Sequence, residues 1–330
     1  MQHKLAGWKN AQLSLAGRKV LIQLVTSSIL AYAIQSTLLP KATCDVIDRL
    51  NRDFLWGSNL GARKPHLVSW KVVCSKKKFG GLGLRTAGDN NRAFVTKLGW
   101  HILHGDSSLW CKVMRAKYLK GQNLLETTAT SSASFIWRGM IQCSPILQLG
   151  ICWRIGSGER VSFWKDTWAR NAPLFPISSS GESSVLCTLK AANVITPNKE
   201  WDLATLSGLV SKDSIEAIRV ISLSRTSQLP DRIFWMGSMD GSFTVKSTYQ
   251  LIQGSCQLMN SFDESWDWIW KLPCIERIRV FVWLLVRGWV LINSVRFARR
   301  MASSPICPRC ESSNETPIHL LRDCYYAKLI

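Results

Sequence analysis

Acidic side chains are scarce in this 330-residue chain: 22 Asp and Glu stand against 42 Lys and Arg, a formal net charge of +20. No two aspartates are adjacent, which excludes the Tyr-x-Asp-Asp motif of a polymerase. The few carboxylates form no cluster suited to a two-metal nuclease. Gly80-Gly-Leu-Gly83 lacks the Gly-Lys-Ser/Thr of a phosphate-binding loop, and Gly156-Ser-Gly158 lacks the third glycine of a dinucleotide fingerprint. No Gly-x-Ser-x-Gly elbow or His-Glu-x-x-His pair occurs. A non-enzymatic chain with no small-molecule substrate is therefore expected.

What is present is positive charge, unevenly spread. Residues 1–120 carry 20 Lys and Arg against 5 Asp and Glu, whereas residues 121–330 carry 22 against 17. Such an excess favours polyanions, since phosphate contacts release condensed counterions, so RNA or DNA is the expected partner. Long uncharged runs are few. Val20–Leu39 approaches the length of a membrane span, but seven of its twenty side chains are polar, and a buried helix fits better than membrane insertion. The eleven cysteines are mostly scattered singly among apolar residues (Cys111, Cys143, Cys152, Cys187), a pattern of reduced thiols in an intracellular protein of nucleus or cytoplasm.

The hydrophobic periodicity predicts an α+β, mostly helical chain. A helix capped by Ser14 is expected to bury Leu21, Leu24, Val25, Ile29 and Tyr32, ending at Pro40. A second is expected from Thr43 to Gly57 with Val46, Leu50 and Phe54 inward, and further helices over about 91–104 and 108–119. Two hairpins are expected. One runs through Trp153-Arg-Ile155 and Val161-Ser-Phe-Trp164 about Gly156–Glu159, the other through Ile233–Met236 and Ser242–Val245 about Asp240-Gly241. Residues 171–200, rich in Pro, Ser and Asn, predict a linker, and Arg277–Arg300 a strongly apolar core helix. Most of the sixteen tryptophans sit at apolar positions, which favours core packing over base stacking.

One constellation carries chemistry. Cys307-Pro-Arg-Cys310, His319 and Cys324 form C-x2-C-x8-H-x4-C. A two-residue gap lets both thiolates of a tight turn reach one metal, and three sulfurs with one imidazole nitrogen make a closed tetrahedral shell suited to one structural zinc ion. Spacing alone leaves open a redox Cys-x-x-Cys, or unrelated thiols beside an unrelated histidine. His101, His104 and Cys111 form a second, weaker grouping on a helical segment beside Trp100 and Trp110; ordinary surface histidines are the better reading.

Several motifs then share a source. Asp48-Arg-Leu-Asn-Arg-Asp-Phe-Leu-Trp56-Gly57, His66-Leu-Val-Ser-Trp70, Gly80-Gly-Leu-Gly-Leu84-Arg85, Trp153-Arg-Ile-Gly-Ser-Gly158 and Phe163-Trp-Lys-Asp-Thr-Trp168 resemble the region after the polymerase in plant LINE-type (non-LTR) retrotransposon reverse transcriptases. Gly241–Tyr249, Trp266–Lys271 and the Cys/His cluster resemble that family's zinc-binding domain. The resemblance implies a post-polymerase, thumb- or connection-like region over 1–170, a variable linker over 171–230, and a helical zinc-binding domain over 231–330. That domain is expected to be cut at its last turn, because relatives usually continue past Ile330. It also implies a nucleic-acid-binding accessory role, with Arg49, Arg52, Arg63, Lys76, Lys77 and Lys78 as candidate phosphate contacts. The alternatives are a vestigial polyprotein remnant without activity, or part of an active polymerase and ribonuclease H protein. Where relatives have Pro-Pro-Lys, this chain has Pro273-Cys-Ile-Glu276, which weakens a nucleic-acid contact there.

Overall fold

The fold is taken from a computed structural model that describes residues 13–26, 28, 32, 34–58, 64–169, 173–174, 189–223, 230–257 and 265–329. Helices dominate, and the named strands form a single two-stranded sheet. Contacts divide the chain into two compact units. One draws on residues 1–33, 39–88 and 259–330, the other on 34–38 and 89–258. Residues 231–257 pack with the second unit, and residues 39–88 share a unit with the chain's last stretch.

In the first unit, Ser14 accepts from the Gly17 N–H at 3.2 Å and starts the Leu15–Leu21 helix. A π-helical turn, Ile22–Thr26, follows and rotates the expected apolar face: Leu24 and Tyr32 are exposed, while Ala16, Lys19 and Ile22 are buried, and Ile29 lies outside the described residues. The Lys41–Trp56 helix ends on Gly57, whose φ of 73° few other residues adopt. Its buried face is Cys44, Ile47, Asn51, Phe54 and Leu55, and Val46 is exposed. A strict four-residue repeat drifts about 40° per step around a 3.6-residue helix, so along the expected Val46–Leu50–Phe54 line Phe54 is buried, Leu50 half-buried and Val46 exposed. The Asp48 carboxylate accepts from the Ala87 N–H at 2.9 Å.

Early and late stretches of sequence share this unit's core. Phe54, Leu55, Trp56, Val73, Leu82 and Leu84 pack with Ile269, Val280 and Trp283. The Gly80–Gly83 segment is the seam. Trp283 Nε1 donates to the Gly80 carbonyl at 2.8 Å, and a Cβ on Gly81 would lie 2.1 Å from the Ser75 carbonyl oxygen. Those glycines therefore serve close packing, consistent with the missing phosphate-loop residues. The expected Arg277–Arg300 helix is broken into Glu276–Val286 and Asn293–Ala298, with Gly288 at φ 64° between them.

In the second unit, Ser134 caps the Phe135–Gly150 helix, which runs directly into β1 (Ile151–Arg154). Its antiparallel partner is β2 (Arg232–Trp235), with Ile151 opposite Trp235 and Arg154 opposite Arg232. Both expected hairpins are thus replaced by one long-range pair. The reason is visible in two side chains. The buried Asp231 carboxylate accepts from Gly156, Gly158 and Arg160 N–H at 2.7–2.9 Å, curling the supposed turn around itself. Trp235 fills the space over Gly150, where a Cβ would meet its ring at 2.2 Å, and Nε1 donates to Ser247 Oγ at 2.9 Å.

Around Trp235 lies a continuous core that includes Trp100, Trp137, Met140, Leu147, Phe163 and Trp168. The expected linker is partly core as well. Ala191 and Val194 are fully buried, and Leu203–Leu209 and Lys212–Arg219 are helical. The rest of 171–188, Cys187 included, lies largely outside the described residues. Cys111, Cys143 and Cys152 are buried free thiols, and burial pushes Cys143 and Cys152 up to about 11. No helix among the described residues is long and apolar enough to cross a membrane.

Candidate metal centre and basic surface

The C-terminal stretch positions four donors with backbone hydrogen bonds. An isolated bridge pairs Ile306 with Asn314, and Cys307 N–H donates to the Ser313 carbonyl at 2.8 Å. Between them the chain reverses tightly. Glu311 N–H donates to the Cys307 carbonyl at 2.9 Å, and Glu311 takes a φ of 52°. This reversal turns both cysteines of the knuckle to one side. His319 opens a short π-helical turn, His319–Asp323, started by a 3.1 Å bond from its N–H to Thr316 Oγ1. Cys324 N–H then donates to the His319 carbonyl at 2.8 Å, closing the turn beneath the fourth donor.

The four donor atoms lie within 4.8 Å of one another; Cys307, His319 and Cys324 are buried and Cys310 is half-buried. Among the described residues no other such group of three or more His, Cys, Asp and Glu occurs. Cys310 Sγ is 3.3 Å from His319 Nε2 and accepts from Ser312 Oγ at 3.3 Å. The Ser312 hydroxyl and N–H bring the Cys310 thiol down to about 6, whereas burial raises that of Cys324. Donors on a tetrahedral zinc shell stand roughly 3.5–3.8 Å apart, given zinc–sulfur and zinc–nitrogen bonds of about 2.3 and 2.0 Å. The cluster matches that shell in composition, and all its donors lie within 4.8 Å of one another.

A residue that the motif did not mark braces the knuckle. Glu315 is buried; its carboxylate accepts from the Asn293 N–H, and its carbonyl accepts from Ser294 Oγ at 2.7 Å. Asn293 Nδ2 in turn donates to the Ile306 carbonyl at 2.9 Å. The knuckle is thereby tied to the first turn of the Asn293–Ala298 helix.

The candidate phosphate contacts fare unequally. Arg49 and Lys78 are exposed, Arg52 and Lys76 are half-buried, and Arg63 lies outside the described residues. Lys77 is already engaged: its ammonium sits 4.5 Å above the Trp270 ring and 3.9 Å from Glu276. Burial, followed by repulsion from Lys19, lowers its pKa. Lys19, which no motif marked, is only 2% exposed and bonds Glu276 at 2.6 Å. Burial opposes ionisation of Glu276, yet the Lys19 hydrogen bond and charge outweigh it and hold the carboxyl below its usual range. The acidic residue at the expected Pro-Pro-Lys position therefore serves as the counter-charge for a buried lysine. His101 and His104 form no metal group. His101 Nδ1 lies 2.9 Å from Asp106, and His104 packs against Trp100.

Comparison with known proteins agrees with this geometry. Residues 243–330 match the family described as zinc-binding in reverse transcriptase. A protein of Arabidopsis thaliana provisionally named a ribonuclease H protein is 32% identical over 324 residues, 97% of this chain and 52% of that protein. An uncharacterized mitochondrial protein of the same plant is 30% identical over 149 residues, 44% of this chain and 97% of that protein. The chain thus spans about half the length of the first relative and nearly all of the second.

Proposed function

Since the chain belongs to the plant LINE-type (non-LTR) retrotransposon polyproteins and carries their reverse-transcriptase zinc-binding domain, we propose that it is a non-catalytic accessory region that grips RNA or DNA for a reverse transcriptase. One structural zinc ion, held by Cys307, Cys310, His319 and Cys324, belongs to that reading. The observation that carries it is the closed donor set, with three sulfurs and one ring nitrogen within 4.8 Å. Four protein donors leave no position for water or substrate, so the ion would supply a cross-link between two turns of chain. Chemistry on a bound substrate would need an open position, and this donor set offers none.

The surplus of 20 positive charges supports a polyanion as the ligand. Arg49 and Lys78, with Arg52, Lys76 and Arg63 beside them in sequence, are the residues offered to phosphates; Lys77 has a packing role in the Lys19–Glu276–Trp270 cluster. The ribonuclease H name belongs to a relative about twice as long, and this reading assigns no such step to the present residues. The test is equilibrium binding of the zinc-loaded chain to single-stranded RNA and DNA over a salt series. Five phosphate contacts predict a log–log slope of about −3.5. Absence of binding to either strand at low salt would remove the proposal.

A further inference from the structure

A second basic surface lies in the other unit, next to the His101–His104–Cys111 grouping that forms no metal group. No acidic residue occurs between Asp106 and Glu126, while Lys112, Arg115, Lys117 and Lys120 do. The Leu109–Met114 helix and the π-helical turn Arg115–Leu119 form a continuous coil over this stretch. Its inward side is defined by Cys111 and Leu119, both buried. Arg115 is committed to the core edge, donating to the carbonyls of His101 and Ile102. Leu109 at 78% exposure, Val113 at 53% and Trp110 at 37% are open to solvent around this coil, as are Lys112, Lys117 and Lys120.

The tryptophan is the informative residue. Among the described tryptophans only Trp110 and Trp268 are exposed; the rest are buried or half-buried, as core packing requires. Trp110 is also braced. The His101 ring meets it edge-to-face at 6.3 Å, and the Asp106 carboxylate holds His101 Nδ1 at 2.9 Å while accepting from the Ser108 N–H at 3.0 Å. An indole left in water yet fixed in orientation loses little freedom when something stacks on it. Three lysines with no intervening acid supply the complementary charge for a chain of phosphates. A duplex hides its base faces, whereas a single strand presents them, and every base has one.

We infer that this face is a stacking surface for single-stranded nucleic acid, in which Trp110 receives a base and Lys112, Lys117 and Lys120 receive flanking phosphates. The inference rests on the nucleic-acid reading above and places a second contact in a separate unit from the zinc knuckle.

The experiment uses the full zinc-loaded chain and a short fluorescent single-stranded oligonucleotide, read by anisotropy at several salt concentrations. Trp110→Ala is expected to weaken binding roughly tenfold with little change in salt slope, while Trp110→Phe retains most affinity. The triple variant Lys112→Ala, Lys117→Ala, Lys120→Ala is expected to make the salt slope shallower by about 2. Wild-type affinity in both the Trp110→Ala and the triple-lysine variants overturns the surface while leaving the broader proposal intact. Preference of the wild-type chain for anionic vesicles over oligonucleotide, abolished by Trp110→Ala, overturns it in favour of a membrane. Failure of the wild-type chain to bind any single strand removes both readings.

Discussion

The last 25 described residues and the second unit are held together by different physics. Within 305–329 the buried side chains are Cys307, Glu315, His319 and Cys324, while Ile306, Ile318, Leu321, Tyr325, Tyr326 and Leu329 are exposed. The second unit instead buries Trp137, Trp235, Phe163, Met140 and Leu147 almost completely. Each such side chain contributes about 1.5–3 kcal/mol on leaving water. The knuckle has no equivalent apolar reserve, and its few hydrogen bonds cannot offset the entropy of ordering two tight turns. On the proposed reading, a metal cross-link would substitute for the core that this stretch does not build.

Metal removal should break this contrast most sharply. Zinc binding to comparable small sites is worth about 10–16 kcal/mol at neutral pH, well beyond anything else that orders 305–329. The purified chain is expected to hold one zinc per molecule and to lose it in the Cys307→Ser, Cys310→Ser double variant. Chelation should then abolish amide-exchange protection across 305–329 while the second unit keeps its own. A knuckle that stays protected without metal would show that Glu315 and the backbone bonds suffice, and the contrast would fail.

The converse prediction attacks the apolar core. Trp235→Ala removes the ring over Gly150 and leaves Ser247 Oγ without its indole donor, for a cost of about 3–5 kcal/mol to the second unit. Cys143 and Cys152 report the opening. Their thiols, pushed up to about 11, are almost wholly protonated at pH 8, so reaction with iodoacetamide there is slow and rises only as pH approaches that value. Trp235→Ala should accelerate labelling of both at constant pH without changing zinc content. Unchanged labelling would mean that this tryptophan is not what closes the core.

Local features of both regions were legible in the sequence, and long-range ones were not. The four donors could be read because their spacing, two residues then eight then four, encodes the turns that join them. The Ser14 and Gly57 helix ends could be read for the same reason, as each cap acts within four residues. The pairing of β1 with β2 could not. It depends on Asp231 reaching Gly156 and on Trp235 covering Gly150, contacts that no turn signal at Gly156–Glu159 or Asp240-Gly241 reveals. No local pattern marks Lys19, since its partner Glu276 lies 257 residues away. Nor does the sequence separate Trp110 from the core tryptophans, because neighbouring apolar residues do not disclose which side of a short helix faces water.

Asp231 tests the long-range account directly. Its two oxygens hold three backbone N–H groups of the Gly156–Arg160 curl, one of them on Gly158 at φ 77°. Asp231→Ala strands those donors, at a cost of about 3 kcal/mol, and Asp231→Asn, which keeps one acceptor oxygen, should cost about half as much. Denaturant unfolding of the second unit measures both. Equal stability in the two variants would indicate that the curl is set by its glycines and not by the carboxylate.

The smallest expected effects come from two matched caps. Ser134 Oγ accepts from the Trp137 N–H at the start of the Phe135–Gly150 helix, and Ser14 Oγ accepts from Gly17 at the start of Leu15–Leu21. Replacing either by alanine removes one hydrogen bond from an otherwise unpaired helical N–H, worth about 1 kcal/mol. Because the chemistry is the same, the response isolates the setting. Ser134→Ala acts on a helix whose Trp137, Met140 and Leu147 are already locked in the tryptophan core, so its loss should appear as a lower denaturation midpoint with no local fraying. Ser14→Ala acts on a seven-residue helix with Ala16 and Lys19 as its buried members, so the loss should appear first as faster amide exchange at Gly17 and Arg18. Identical behaviour of the two variants would mean that burial does not decide how each region yields.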